Sequence, residues 1–149
     1  MANTVTQHTI PALGSGQSAT LVASVSIIPS DTSSSAVLAG GELIYAPAGS
    51  LNSVDLLYAS NRNDPHPDGD AIAVFSLNPL TKVATIRTGL QHIRAMSFAG
   101  QNNKYILAAG LNGGGIKVFE RVNNGRGLSL VASLNSGQVQ KPTSLLWVN

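Results

Sequence analysis

Short apolar runs alternate with polar breaks along almost the whole chain, and no window carries a convincing helical period. Ile72 and Val74, and again Ile116 and Val118, recur at the two-residue spacing of a strand with one face buried. Breaks rich in turn formers separate the runs: Asn78-Pro79, Gly100-Gln101-Asn102-Asn103 and Asn123-Asn124-Gly125-Arg126-Gly127. The pattern predicts strands over 41–47, 56–60, 71–77 and 83–88, then over 94–99, 105–110, 115–122 and 128–134. Two further strands are expected at the flanks, over 20–28 and 142–148. Residues 1–18 read as irregular, and 29–35 as a mobile loop.

The two sets of four strands are copies of one unit. Leu56-Leu57-Tyr58-Ala59-Ser60 matches Tyr105-Ile106-Leu107-Ala108-Ala109 at an offset of 49 residues. Ile72-Ala73-Val74-Phe75 matches Ile116-Lys117-Val118-Phe119 at an offset of 44, so the first copy carries five extra residues in the loop around Asn63–Asp70. Ile93 to Phe98 matches Pro142 to Trp147, again at 49. A repeat of about 40–50 residues with four strands is the mark of a propeller blade. The expected fold class is therefore all-β, a partial β-propeller. Its single domain over 1–149 holds blade one at about 41–88 and blade two at about 94–134. The 20–28 strand would be the outermost of a preceding blade, and 142–148 the innermost of a following one.

Composition narrows the function classes. The chain is 43% hydrophobic but only 11% charged, enough apolar material for a core and too little charge for a disordered chain. A pI near 9.2 suggests nucleic acid, yet the net charge is only +2 and no two of the nine Lys and Arg are adjacent. Phosphate-backbone binding needs clustered positive charge, so no nucleic-acid partner is expected. There is no Cys, hence no disulfide or thiolate chemistry. The start lacks a basic region followed by an apolar run, and no apolar stretch approaches ~18 residues, so neither secretion nor a membrane is expected and a cytoplasmic location is the default.

At Leu57-Tyr58-Ala59-Ser60-Asn61-Arg62, followed by Gly69-Asp70-Ala71-Ile72-Ala73-Val74-Phe75, the chain resembles the lactonase-type seven-bladed propellers. That family includes bacterial 6-phosphogluconolactonase-like proteins and fungal 3-carboxy-cis,cis-muconate cyclases. Its strand ending in Ser-Asn-Arg is followed by Ile-Ala-Val-Phe and then by Gly-x-His-Pro-Arg. The last motif reads here Gly89-Leu90-Gln91-His92-Ile93-Arg94, with Ile93 in place of Pro and one extra residue before the His. Gly41-Glu42-Leu43-Ile44 is similar to the family's Ala-Glu-Ile strand. Gly113 to Arg121 favours the fungal branch. The resemblance spans roughly residues 8–148 and implies the C-terminal part of such a propeller, with the N-terminal blades absent.

The candidate catalytic residues are Glu42, Arg62, His92 and Arg94. Inner strands line a propeller's channel, and His92 and Arg94, two apart, would share a strand face. The resemblance implies a small carboxylated lactone as substrate and no cofactor. Arginines would clamp the carboxylate, His or Glu would move a proton, and an arginine would steady the developing oxyanion. A plainer account is that Arg62 and Arg94 make hydrogen bonds between blades and that Glu42 pairs with one of them.

Other motifs carry less. Asp64-Pro65-His66-Pro67-Asp68-Gly69-Asp70 spaces oxygen donors like a calcium loop, but no closing Glu follows and two prolines stiffen it, so it reads as a solvated hairpin loop. Gly110 to Gly115 feeds a strand rather than a helix, which excludes a phosphate cradle. Trp147 reads as a core anchor. The reading from sequence is thus a lactonase or cycloisomerase homologue; the alternative is a non-catalytic propeller piece, lectin-like or an assembly module. Incomplete blade neighbours predict a homo-oligomer.

Overall fold

The computed structural model describes residues 3–33 and 36–148. Ten strands run in chain order: β1 (Thr4–Thr9), β2 (Thr20–Ser26), β3 (Ala39–Ala46), β4 (Leu56–Arg62), β5 (Ala71–Leu77), β6 (Leu80–Arg87), β7 (Gln91–Ala99), β8 (Tyr105–Gly113), β9 (Gly115–Val122) and β10 (Gly127–Leu134). The described residues contain no α-helix, only a three-residue 3₁₀ turn at Gln101–Asn103. Among the described residues no helix is long and apolar enough to cross a membrane.

Strands β3 to β6 form one four-stranded antiparallel sheet in sequential order, and β7 to β10 form a second. These are the two expected blades of a partial propeller. The repeat survives as geometry: β4 and β8 begin 49 residues apart, at Leu56 and Tyr105, and β5 and β9 begin 44 apart, at Ala71 and Gly115. Inner strands β3 and β7 adjoin, whereas outer strands β6 and β10 barely meet. The blades therefore splay outward, as they do around a propeller axis.

Blade one is apolar on both faces because it is covered on both. Leu56, Tyr58, Ile72 and Val74 pack with Ile93, Ile106 and Phe119 of blade two. The alternate residues Ala59, Ala73 and Phe75 pack with Val5 and Ile27 beside the first sheet. Strand β5 is consequently buried at five consecutive positions, Ala71 to Phe75, the pattern of a strand sandwiched between layers. Each large apolar side chain fully buried here contributes roughly 1.5–3 kcal/mol.

Four expectations give way. Residues 1–18 are not wholly irregular: β1 pairs antiparallel with β2, Thr4 opposite Ser26, so the flanking strand has its own partner. Residues 142–148 form no strand and pair with none of the sheets. Trp147 is half exposed there and anchors no core. The 29–35 loop is tied down where it is described: Arg87 donates from Nη2 to Asp31 Oδ1 at 2.5 Å and to Thr32 Oγ1 at 3.2 Å. Ser34 and Ser35 lie outside the described residues.

Candidate functional site

The predicted site residues collect at one end of the blade pair, where β3 and β7 start and β4 ends. The two inner strands come close together at Gly41. A Cβ there would stand 3.3 Å from the Ile93 carbonyl oxygen and would collide with Ser60 Oγ, so only glycine lets the strands meet. Glu42 follows this point on β3, and His92 and Arg94 flank it on β7.

Ladder irregularities shape what those residues do. The β3–β4 register shifts between Gly40 and Leu43, and the Glu42 amide donates to Ser60 Oγ at 2.9 Å. Arg62 fills the bulge by donating from Nε and Nη2 to the Gly40 carbonyl, at 3.0 and 2.6 Å. Its hydrogen bonds thus stay within one blade. Strand β7 shifts register on both sides of Ile93, and His92 sits at φ 60°. His92 therefore leaves the simple two-residue alternation that would have set it beside Arg94.

The His92 ring is held: Nδ1 lies 2.8 Å from Asn63 Oδ1. With the amide oxygen accepting, Nδ1 carries the proton and Nε2 keeps a lone pair for chemistry. His92 and Asn63 line a cleft of about 220 Å³ with Asp64, Asp70, Gln91 and Asn112. Glu42 opens instead onto a separate cleft of about 250 Å³ beside Thr4, Thr6 and Ser60. Arg94 is exposed and lines neither. Neither Glu42 nor Arg94 makes a side-chain ion pair among the described residues, so the pairing of Glu42 with an arginine is absent.

Two residues that the sequence placed in a solvated loop, Asp70 and Asp64, hold this end together. Asp70 is 1% exposed. Its Oδ1 accepts the Asp64 amide at 2.9 Å and its Oδ2 accepts the Ile93 amide at 3.0 Å, linking the β4–β5 loop to the inner strand of the next blade. Burial pushes its pKa up, against the lowering pull of those amides. The Asp64 carboxylate is also enclosed, accepting from Arg87 Nη1 at 2.6 Å, Asn61 Nδ2 at 3.0 Å and Thr32 Oγ1 at 3.0 Å. Burial raises its pKa, but Arg87 and the other donors outweigh that and hold it below the ordinary carboxylate value. The loop is therefore not simply solvated. Asp64 and Asp70 face inward as hydrogen-bond hubs while Asp68 stays exposed, and the run of acids in this loop was the available signal.

The fold of this chain has a counterpart among solved structures. The chain is similar to the crystal structure of a "putative 6-phosphogluconolactonase" from Bacteroides fragilis, with a TM-score of 0.72 and 24% identity. The match covers 99% of this chain and 36% of that one, so this chain spans about a third of the length of that protein. No protein-family model matches the chain, and no curated protein does.

Proposed function

We propose that this blade pair contributes a substrate-binding wall to a propeller acting on a small lactone that bears a carboxylate or phosphate. The observation that carries the reading is the His92 cleft, where Asn63 fixes Nδ1; Arg94, exposed and without a counter-charge among the described residues, stands outside that cleft two residues further along β7. The propeller likeness supports the same substrate class, since the Bacteroides protein's description names a phosphorylated sugar lactone.

In this reading Arg94 binds the substrate's anionic group, where a free guanidinium offers a bidentate fork. His92 Nε2 takes a proton, either from an attacking water in hydrolysis or from carbon in a cycloisomerisation. Gln91 and Asn112 supply neutral polar contacts in the same cleft. Arg62 is a positioning residue, spent on the Gly40 carbonyl. Glu42 serves from the neighbouring cleft.

Turnover of 6-phosphogluconolactone and of a carboxylated muconolactone, followed by NMR, tests the proposal. Arg94→Ala should raise KM at least tenfold and His92→Gln should lower kcat by about 10²-fold. No turnover above the uncatalysed rate, or indifference to both substitutions, would overturn it.

A second reading has its own observation. Leu130, Val131 and Leu134 on β10 and Leu146, Trp147 and Val148 beyond it are exposed. Such a surface suits association with a second copy of the chain, making the protein an assembly module. Light scattering at micromolar concentration supports this with a concentration-dependent mass, and a constant mass near 15.3 kDa rejects it.

A further inference from the structure

The opposite end of the blade pair holds a buried cation without a counter-charge. Arg121, near the end of β9, is 4% exposed. Its Nε donates to the Tyr58 hydroxyl at 2.8 Å, Nη1 to the Asn103 carbonyl at 3.0 Å and Nη2 to Asn52 Oδ1 at 2.5 Å. All three acceptors are neutral. The guanidinium carbon also lies 5.4 Å from the ring centroids of both Tyr58 and Phe98. No carboxylate pairs with it among the described residues; the adjacent Glu120 bonds Lys104 Nζ at 3.1 Å instead.

The neighbours are fixed in the same sense. Asn52 Nδ2 donates to the carbonyls of Pro47 and Val54, at 2.9 and 2.8 Å, which leaves only its oxygen for Arg121. The Tyr58 hydroxyl is committed too, donating to the Gly125 carbonyl at 2.6 Å. Three of the five N–H groups of a guanidinium are thus accounted for.

A charge taken out of water this far is normally paired. Here Arg121 lines a cavity of about 230 Å³ between the β3–β4 loop of blade one and the β7–β8 loop of blade two. The rest of the lining is apolar side chains, backbone, Ser50 and the amides Asn52, Asn102 and Asn103, with no acidic residue. One cation, neutral donors and a lining without a carboxylate suit an anion site; the Asp55 carboxylate close to it accepts the Ala48 amide at 2.8 Å. The space suits a group of a few heavy atoms.

We propose that this cavity binds a small oxyanion, a carboxylate or phosphate group, with Arg121 as its counter-charge. The site is separate from the His92 cleft, at the other end of the strands, and does not depend on the function proposed above.

Amide NMR of the full chain at low ionic strength, titrated with inorganic phosphate and with acetate against matched chloride, tests this. The expected result is saturable shifts at Ser50, Asn102, Asn103 and the Arg121 side-chain N–H. The two titrants separate a phosphate site from a carboxylate site. Asn102→Asp keeps a residue that tolerates the φ of 57° found there and adds a negative charge to the lining, so it should weaken binding at least tenfold with the thermal midpoint unchanged. Arg121→Lys should weaken binding as well. Linear, non-saturating shifts with both anions, or equal affinity in Asn102→Asp, would overturn the proposal.

Discussion

The Asp70 carboxylate accepts the backbone N–H of Ile93 at 3.0 Å, across 23 residues of sequence and from one blade to the next. Both groups are buried. The same carboxylate holds the Asp64 amide, so one side chain shapes the β4–β5 loop and sets the start of β7, where His92 and Arg94 stand. Asp70→Ala removes the acceptor of two amides, those of Asp64 and Ile93. A buried donor left unpaired costs about 1–3 kcal/mol, so the substitution should lower unfolding free energy by about 3 kcal/mol in a urea titration. Asp70→Asn, which retains one accepting oxygen, should cost less. Equal stability in all three proteins would remove Asp70 from this role.

Acid should loosen the other half of the loop through Arg87. Its guanidinium bridges Asp31 and Asp64, with Nη2 and Nη1 distances of 2.5 and 2.6 Å. The hydrogen bond from Arg87 lowers the Asp31 pKa, and Asp64 is lowered as well, both from 3.8. Depressed carboxyls contribute stability that is complete above their unfolded value and is lost as pH falls through the folded one. Asp70 has the opposite sign: its raised pKa means that the fold favours its protonation, so acidification through the range above 3.8 adds stability there. The thermal midpoint of the parent should therefore fall steeply below pH 3.8, and Arg87→Met should flatten that fall. Parallel pH profiles for the two proteins would refute the assignment.

Gly41 is expected to be intolerant of a side chain. A Cβ would press on Ser60 Oγ, on the Ser60 carbonyl at 3.2 Å and on the Ile93 carbonyl at 3.3 Å, two of them backbone groups that cannot swing away. Gly41→Ala should destabilise by about 1–3 kcal/mol, the usual cost of overpacking. It should also shift the amide resonances of Ile93 and its neighbours on β7. Gly49→Ala, whose nearest contact is the Pro47 carbonyl at 3.9 Å, is the control that should leave both unchanged.

The sequence by itself determined the all-β class, the duplication and nine of the ten strands, β1 being the exception. Those features are local: two-residue alternation, turn residues and the 49- and 44-residue offsets repeat within each unit and need no distant partner. It also picked out the residues of the inner-strand ends, because Glu42, Arg62, His92 and Arg94 stand at recognisable points of that repeat. Tertiary structure alone decided what they face. The bulges around Gly40 and Ile93 and the φ of 60° at His92 redirect side chains that a regular strand would have aligned, and nothing in a two-residue period announces a bulge. Pairing was equally invisible. Thr4–Thr9 became a strand because β2 lay alongside it, and 142–148 entered no ladder among the described residues, since a strand exists only through the backbone groups of its neighbour. The buried polar hubs Asp70 and Arg121 belong to the same class. Each looks like an ordinary loop or surface charge in the chain, and only the packing of one blade on another takes it out of water.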